Sequence, residues 1–168
     1  MKNKHTFITQ NTIFGLCIGV SFMLASYIFY KSGQQINLNP RFNNILMLLT
    51  IAGSFIGTRK YRDENLDGKL SYPKALGTCV YLTAIASVSY GIYIYTLYHI
   101  HPELQEEYLN MTKSILEEVY KNSPLLETMQ TLLTSFMTAG MIAFSETFNK
   151  IFTGFIFSLF LAGILRRK

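Results

Sequence analysis

Residues 57–77 read GTRKYRDENLDGKLSYPKALG, and they hold five basic residues, Arg59, Lys60, Arg62, Lys69 and Lys74. On either side lie long runs with no charge at all, Phe42–Thr58 before and Ala75–Tyr98 after, which overlap the ends of the quoted stretch. A basic segment between two apolar runs has the pattern of a short inward-facing loop, because Lys and Arg accumulate on the cytoplasmic side of membrane proteins. The rest of the chain is placed by reference to this loop.

Outward from the loop, the runs have the length that a membrane crossing needs. A helix rises about 1.5 Å per residue and requires about 20 mostly apolar residues to traverse the hydrocarbon core. Thr12–Tyr30 gives 19 uncharged residues, Phe42–Thr58 gives 17 and Ala75–Tyr98 gives 24. The last run, Ile151–Leu165, has 15 and draws on residues 147–150 to cross. Four spans follow, at about 12–30, 42–58, 75–98 and 147–165, within a single membrane domain covering 1–168. Composition agrees: 49% of residues are hydrophobic and 15% charged, against about 25% charged in ordinary soluble domains. The start, MKNKHTFITQNTIFGL, is basic and then apolar. Its apolar run exceeds the 7–15 residues of a signal-peptide core, so a retained first span is expected.

The segment from Pro102 to Glu146 is different. Leu104, Tyr108, Met111, Ile115 and Val119 recur at steps of three and four, with glutamates at 103, 106, 107, 117 and 118 between them. That is an amphipathic helix, begun by Pro102 and an acidic first turn. Ser123 and Pro124 predict the cap and first position of a further helix. Its stripe of Leu126, Met129, Leu133, Phe136 and Met137 is accompanied by Thr128, Thr131, Thr134, Ser135 and Thr138. Neither Gly nor Pro occurs in residues 146–150, so one long helix entering the bilayer near its middle is expected. The fold class is an all-α integral membrane protein, with four transmembrane helices and an extracytoplasmic amphipathic helical hairpin before the last span.

Charge counting sets the orientation. With the start inside, the inner segments hold Lys2, Lys4, the five basic residues of the loop, Arg166, Arg167 and Lys168, together 10 of the 15 basic residues. The outer segments hold seven of the ten acids. Both termini are therefore expected in the cytoplasm, the inner basic loop at 59–74 and the outer helical insert at 102–146. The net charge of +5 is spread over the ends of apolar runs instead of one face, which argues against nucleic acid as a partner. Cys17 and Cys79 both lie in apolar runs, where a thiol acts as a small hydrophobe.

Chemistry is sparse. Arg59, Lys60, Arg62, Lys69 and Lys74 could contact anionic lipid or a partner, or simply anchor two helix ends. Glu146 and Lys150 stand four apart at the mouth of the last span and are expected to pair on one helix face, within or beside the membrane. His99 and His101 are two apart and face different directions, with no second ligand cluster, so no metal site is expected. Gly15 with Gly19, and Gly53 with Gly57, form G-x-x-x-G spacings, and Ser87 with Gly91 echoes them; such spacing packs helices within one bundle or against a second copy. Acyl-transfer, zincin, P-loop and Rossmann motifs are missing, so no catalytic residue and no cofactor are expected.

Lys60-Tyr61-Arg62-Asp63, Gly68, Leu70-Ser71-Tyr72 and Lys74-Ala75-Leu76, in that order after an apolar helix, resemble a bacterial membrane family known as Domain of Unknown Function 4199. Asp67 stands where a second glycine is expected. The resemblance implies a four-span protein of the bacterial inner membrane with no assigned activity. The expected role is structural or accessory, binding the bilayer and a membrane partner; the alternative is a passive channel or a lipid or solute transporter, lined by the Thr and Ser face of residues 128–145.

Overall fold

A computed structural model describes residues 4–33, 36, 38–121 and 123–167. Lys2 and Lys168, which entered the sequence reading, lie outside the described residues, as do the side chains of residues 4–6. Among the described residues the chain forms six helices: α1 (Lys4–Lys31), α2 (Pro40–Asn65), α3 (Tyr72–Ile100), α4 (Pro102–Val119), α5 (Leu126–Phe136) and α6 (Ala139–Leu165). Three of them, over Phe7–Lys31, Tyr72–Ile100 and Ala139–Leu165, are long and apolar enough to cross a membrane. Two compact units are distinguished, Met1–Tyr90 with Thr147–Lys168, and Gly91–Glu146.

Local signals explain most helix ends. Gly33 at φ +65° follows α1, and its N–H bonds to Tyr30 O at 3.1 Å, the left-handed stop that glycine adopts without strain. Asn39 caps α2 by accepting from the N–H groups of Arg41 and Phe42, with Pro40 at the first position, where its missing N–H costs nothing. Asp67 and Gly68, at φ 50° and 78°, make the turn after α2.

The segment read as a basic loop over 59–74 is corrected in its first half. Residues 59–65 continue α2, and the connection to α3 shortens to 66–71. Pairs Arg59–Asp63 and Lys60–Glu64, each four apart, support that extension. The single long helix expected through residues 128–165 is also corrected. It breaks at Met137 and Thr138, where Met137 takes ψ 77° and Thr138 Oγ1 accepts from Met141 N at 3.3 Å. A threonine cap, without Gly or Pro, suffices to start a helix. The last helix therefore begins at Ala139 and has 27 residues, so the shortness of Ile151–Leu165 has no consequence. Pro124 is likewise not a first helical position: it lies in a turn with Ser123 Oγ accepting from Leu125 N.

The first unit is a four-helix bundle of α1, α2, the first part of α3 and the latter part of α6. Its interior combines large apolar side chains such as Phe22, Phe42, Leu46 and Leu82 with a stripe of small polar ones, and its surface also carries large apolar side chains. On α2, Thr50, Ser54, Thr58 and Arg62 recur every fourth residue and all are buried. Their hydroxyls are satisfied internally: Thr50 donates to Leu46 O, Ser54 meets Thr83 Oγ1 at 3.3 Å, and Thr58 meets Cys79 Sγ at 3.2 Å. Leu24, Ile28, Leu48, Ile56, Phe152 and Phe160 are exposed. An inside polar stripe facing small neighbours and an outside of Leu, Ile and Phe suits lipid, which contributes little drive for burying apolar surface.

Glycines set the helix spacings in this bundle. A Cβ on Gly15 would lie 2.8 Å from Ile85 Cβ, on Gly19 3.0 Å from Ser89 Cβ, on Gly53 2.5 Å from Ile18 Cγ1 and on Gly57 2.9 Å from Leu82 Cδ1. All four thus meet other helices of the same chain, which fits packing within one bundle.

In the second unit, α4 and α5 pack against each other. Gln130 donates to Glu117 Oε1 at 2.8 Å, Gln105 donates to Met137 O at 2.8 Å, and Tyr98 meets Tyr108 edge to face. Neither helix has a buried residue. Burial nonetheless pushes the Tyr108 phenol above its usual range, with a smaller contribution from the Glu146 carboxylate.

Candidate functional site

The end of the bundle where α2 finishes, α3 begins and α6 finishes gathers the basic residues. Arg62 is the pin of this end. The residue is 5% exposed; Nε donates to Asp63 Oδ1 at 2.7 Å and Nη1 donates to Leu165 O at 3.3 Å. The carbonyl of Arg62 in turn accepts from Leu66 N at 3.1 Å and Gly68 N at 3.2 Å. One arginine thereby fixes the turn after α2 and the last carbonyl of α6, of a kind that a helix C-terminus otherwise leaves unmatched.

A two-residue antiparallel bridge completes the closure. Leu70 N donates to Arg167 O at 2.9 Å and Arg167 N donates to Leu70 O at 2.8 Å. Leu70 is 1% exposed and packs with Ala75 and Ala162. Successive side chains of an extended segment point to opposite sides, so with Leu70 directed inward its neighbours Lys69 and Ser71 face out. Both are exposed.

Two groups emerge from the five expected contact residues. Arg59, Lys60 and Arg62 are matched by acids: Arg59–Asp63 at 3.7 Å, Lys60–Glu64 at 3.7 Å and Arg62–Asp63 at 2.7 Å. Gln10 donates to Glu64 at 3.0 Å and accepts from Asn65, and Lys60 also lies 5.3 Å from the Phe14 ring centre. A 640 Å³ cleft beside them is lined by Gln10, Phe14, Lys60, Glu64 and Asn65. Lys69 and Lys74, by contrast, line a second cleft of 590 Å³ together with Ser71, Tyr72, Arg166 and Arg167. No ion pair within 4 Å involves any of these four cations among the described residues. Sequence reasoning missed the part played by Arg166 and Arg167, which it counted only as inner charges.

The Arg62 hydrogen bond holds the Asp63 carboxyl below its usual range, with Arg59 and Arg167 adding smaller attractions. A carboxyl lowered by folding contributes stability above its unfolded pKa, and that stability is lost as pH falls through the folded value. Thermal unfolding in detergent should therefore show an acid limb below about pH 4 that Asp63→Asn flattens. An unchanged acid limb in that variant would place the titration elsewhere.

The other expected pair, Glu146 and Lys150, stands on α6. Lys150 Nζ donates to Asn43 Oδ1 at 2.7 Å, across to the start of α2. Glu146, on α6 as well, is 8% exposed. The hydroxyls of Thr131 and Thr134 bond back to Glu127 O and Gln130 O of their own helix, and both residues are exposed. His101 Nδ1 meets Glu103 Oε1 at 2.9 Å at the start of α4.

No curated protein and no solved structure matches this chain. A family described as protein of unknown function (DUF4199) matches residues 12–167, the stretch that runs from the first apolar run to the bridge that closes the basic end. The chain therefore belongs to the DUF4199 family.

Proposed function

We propose that this protein is a four-span accessory protein of the bacterial cytoplasmic membrane, without catalytic activity, which binds a membrane partner through its acidic extracytoplasmic helical hairpin. The fourth crossing is α2, whose buried Thr, Ser and Arg stripe lowers its hydropathy while its outer face carries Leu48 and Ile56. A helix sheltering its polar face among other helices can cross lipid despite such a sequence. Both termini and the basic end then lie in the cytoplasm, following the charge asymmetry.

The observation that carries the partner-binding reading is the state of α4 and α5. They present glutamates at 103, 106, 107, 117, 118 and 127 beside exposed Val119, Leu125, Leu132 and Phe136, and neither helix has a buried residue. Exposed apolar groups rimmed by charge mark an interaction surface. Mild-detergent purification with crosslinking across the hairpin tests this: a stoichiometric protein partner is expected. A strictly monomeric particle with no copurifying protein would remove the reading.

A passive channel or lipid or solute transporter is the second reading, and the burial of Glu146 within an apolar helix is what favours it. Against it stand the back-bonded, exposed threonines of α5 and the glycine-spaced interior of the bundle. Solute flux above that of empty liposomes would reverse the order of the two readings.

Orientation has its own test. In a cysteine-free background, Asn110→Cys should react with an impermeant maleimide on intact cells, and Ser71→Cys only after permeabilisation. The opposite pattern would invert the proposed topology.

A further inference from the structure

The cleft of Lys69, Ser71, Tyr72, Lys74, Arg166 and Arg167 has the properties of a phosphate site. Four cations border one 590 Å³ space, a volume within the range of small-molecule clefts, about 300–1,000 Å³. Two acids of this end are already engaged, Asp63 by Arg62 and Arg59 and Glu64 by Lys60 and Gln10, and Asp67, two residues before Lys69, is within 4 Å of no cation among the described residues. Asp63 also attracts Arg167, but no carboxylate lies within 4 Å of it among the described residues.

The backbone is organised there before any ligand arrives. The Leu70–Arg167 bridge fixes the two cationic segments against each other, and Arg62 holds the preceding residue, Leu165, by its carbonyl. Tyr72 anchors one wall by donating to Leu159 O at 3.3 Å. The first turn of α3 opens into the same cleft, so the positive end of a 29-residue helix adds to the four charges. Arginine forks and lysine point charges together suit a tetrahedral oxyanion.

Position supplies the source of the ligand. α3 and α6 are both long and apolar enough to cross a membrane, and the cleft lies where one starts and the other stops. That is the level of lipid head groups, and the exposed Tyr72 ring is of the type that settles there. We propose that this cleft binds the phosphate of an anionic phospholipid head group. The proposal rests on the membrane reading above and assigns the contact to Lys69, Lys74, Arg166 and Arg167 instead of Arg59, Lys60 and Arg62.

The full chain in neutral detergent micelles should bind dioctanoyl phosphatidylglycerol in isothermal titration, and dioctanoyl phosphatidylcholine at least about tenfold more weakly. Replacing Lys69, Lys74, Arg166 and Arg167 by Gln together should weaken the phosphatidylglycerol by about tenfold or more, with a shallower salt dependence. The pair Lys69→Gln/Lys74→Gln and the pair Arg166→Gln/Arg167→Gln, each preserving the backbone bridge, should each cost about threefold or more, which covers the case in which the fourfold variant does not fold. Arg59→Gln/Lys60→Gln should change binding by less than about twofold, since those cations are already paired. Inorganic phosphate competing at the lipid's own concentration would assign the site to a soluble phosphate; failure to compete assigns it to lipid. Equal binding of phosphatidylcholine, or unchanged binding in both pair variants, overturns the proposal. Micelles have no sides, so this result stands apart from the topology, which Ser71→Cys labelling reports separately.

Discussion

Gly154→Ala is expected to destabilise the bundle by about 2–3 kcal/mol, the scale of overpacking a tight interface. A Cβ at this position of α6 would fall 2.0 Å from Thr83 Cγ2 and 3.0 Å from Thr83 Cβ on α3. Thr83 has little freedom to rotate away, because its hydroxyl donates to Cys79 O at 3.0 Å and also meets Ser54 Oγ. In detergent the loss should appear as a midpoint lowered by roughly 5–10 °C. Thr83→Ser deletes the clashing methyl and keeps the hydroxyl, so adding it should restore most of the stability, and the double-mutant cycle measures the coupling. Gly163→Ala is the control: nothing lies within 4 Å of its added Cβ, and alanine is the better helix former by about 1 kcal/mol. Similar losses at 154 and 163 would show that the α3–α6 contact is not the cause.

Arg62→Ala should cost about 2–3 kcal/mol, since it removes a charged donor from a buried carbonyl and leaves that carbonyl unmatched. Two further consequences separate this from a general loss of stability. Leu165 O loses the bond that holds the end of α6, so the Leu70–Arg167 bridge beside it should fray. Trypsin should then cut after Arg166 and Arg167 at a higher rate in the variant, measured by mass spectrometry of the intact chain. Arg62→Lys should rescue only part, because a single ammonium cannot reproduce a planar fork that reaches Asp63 and Leu165 at once. Wild-type cleavage rates in Arg62→Ala would show that the bridge holds without the pin.

Much of the candidate site was legible, but not its membership. Arg59, Lys60, Arg62, Lys69 and Lys74 stood out as a dense basic stretch. Their pairing with Asp63 and Glu64 is half visible, since i,i+4 spacing needs a helix and the sequence pattern there reads as a loop. One signal for Arg62 was present: it continues the four-residue stripe of Thr50, Ser54 and Thr58, and a residue on that stripe is directed inward. Arg166 and Arg167 gave no comparable signal, because a bridge to Leu70 nearly a hundred positions away leaves no local trace.

The sequence by itself determined that the chain is helical and that α1, α3 and α6 are long and apolar enough for a bilayer, but not where α2 ends or that the chain breaks at Met137 and Thr138. Uncharged runs, Pro102 at the start of α4, and the Asp67-Gly68 turn act over a few residues, and backbone rules of that range read directly from neighbours. The tertiary structure decided which polar groups are used up and which remain available. Arg62 is spent on a carbonyl 103 positions away, and Gly154 is reserved by Thr83 on another helix. Lys69 and Lys74 acquire two arginines as neighbours. Charge belongs to a residue, but electrostatic availability depends on distances to partners, and those distances exist only once the helices have packed.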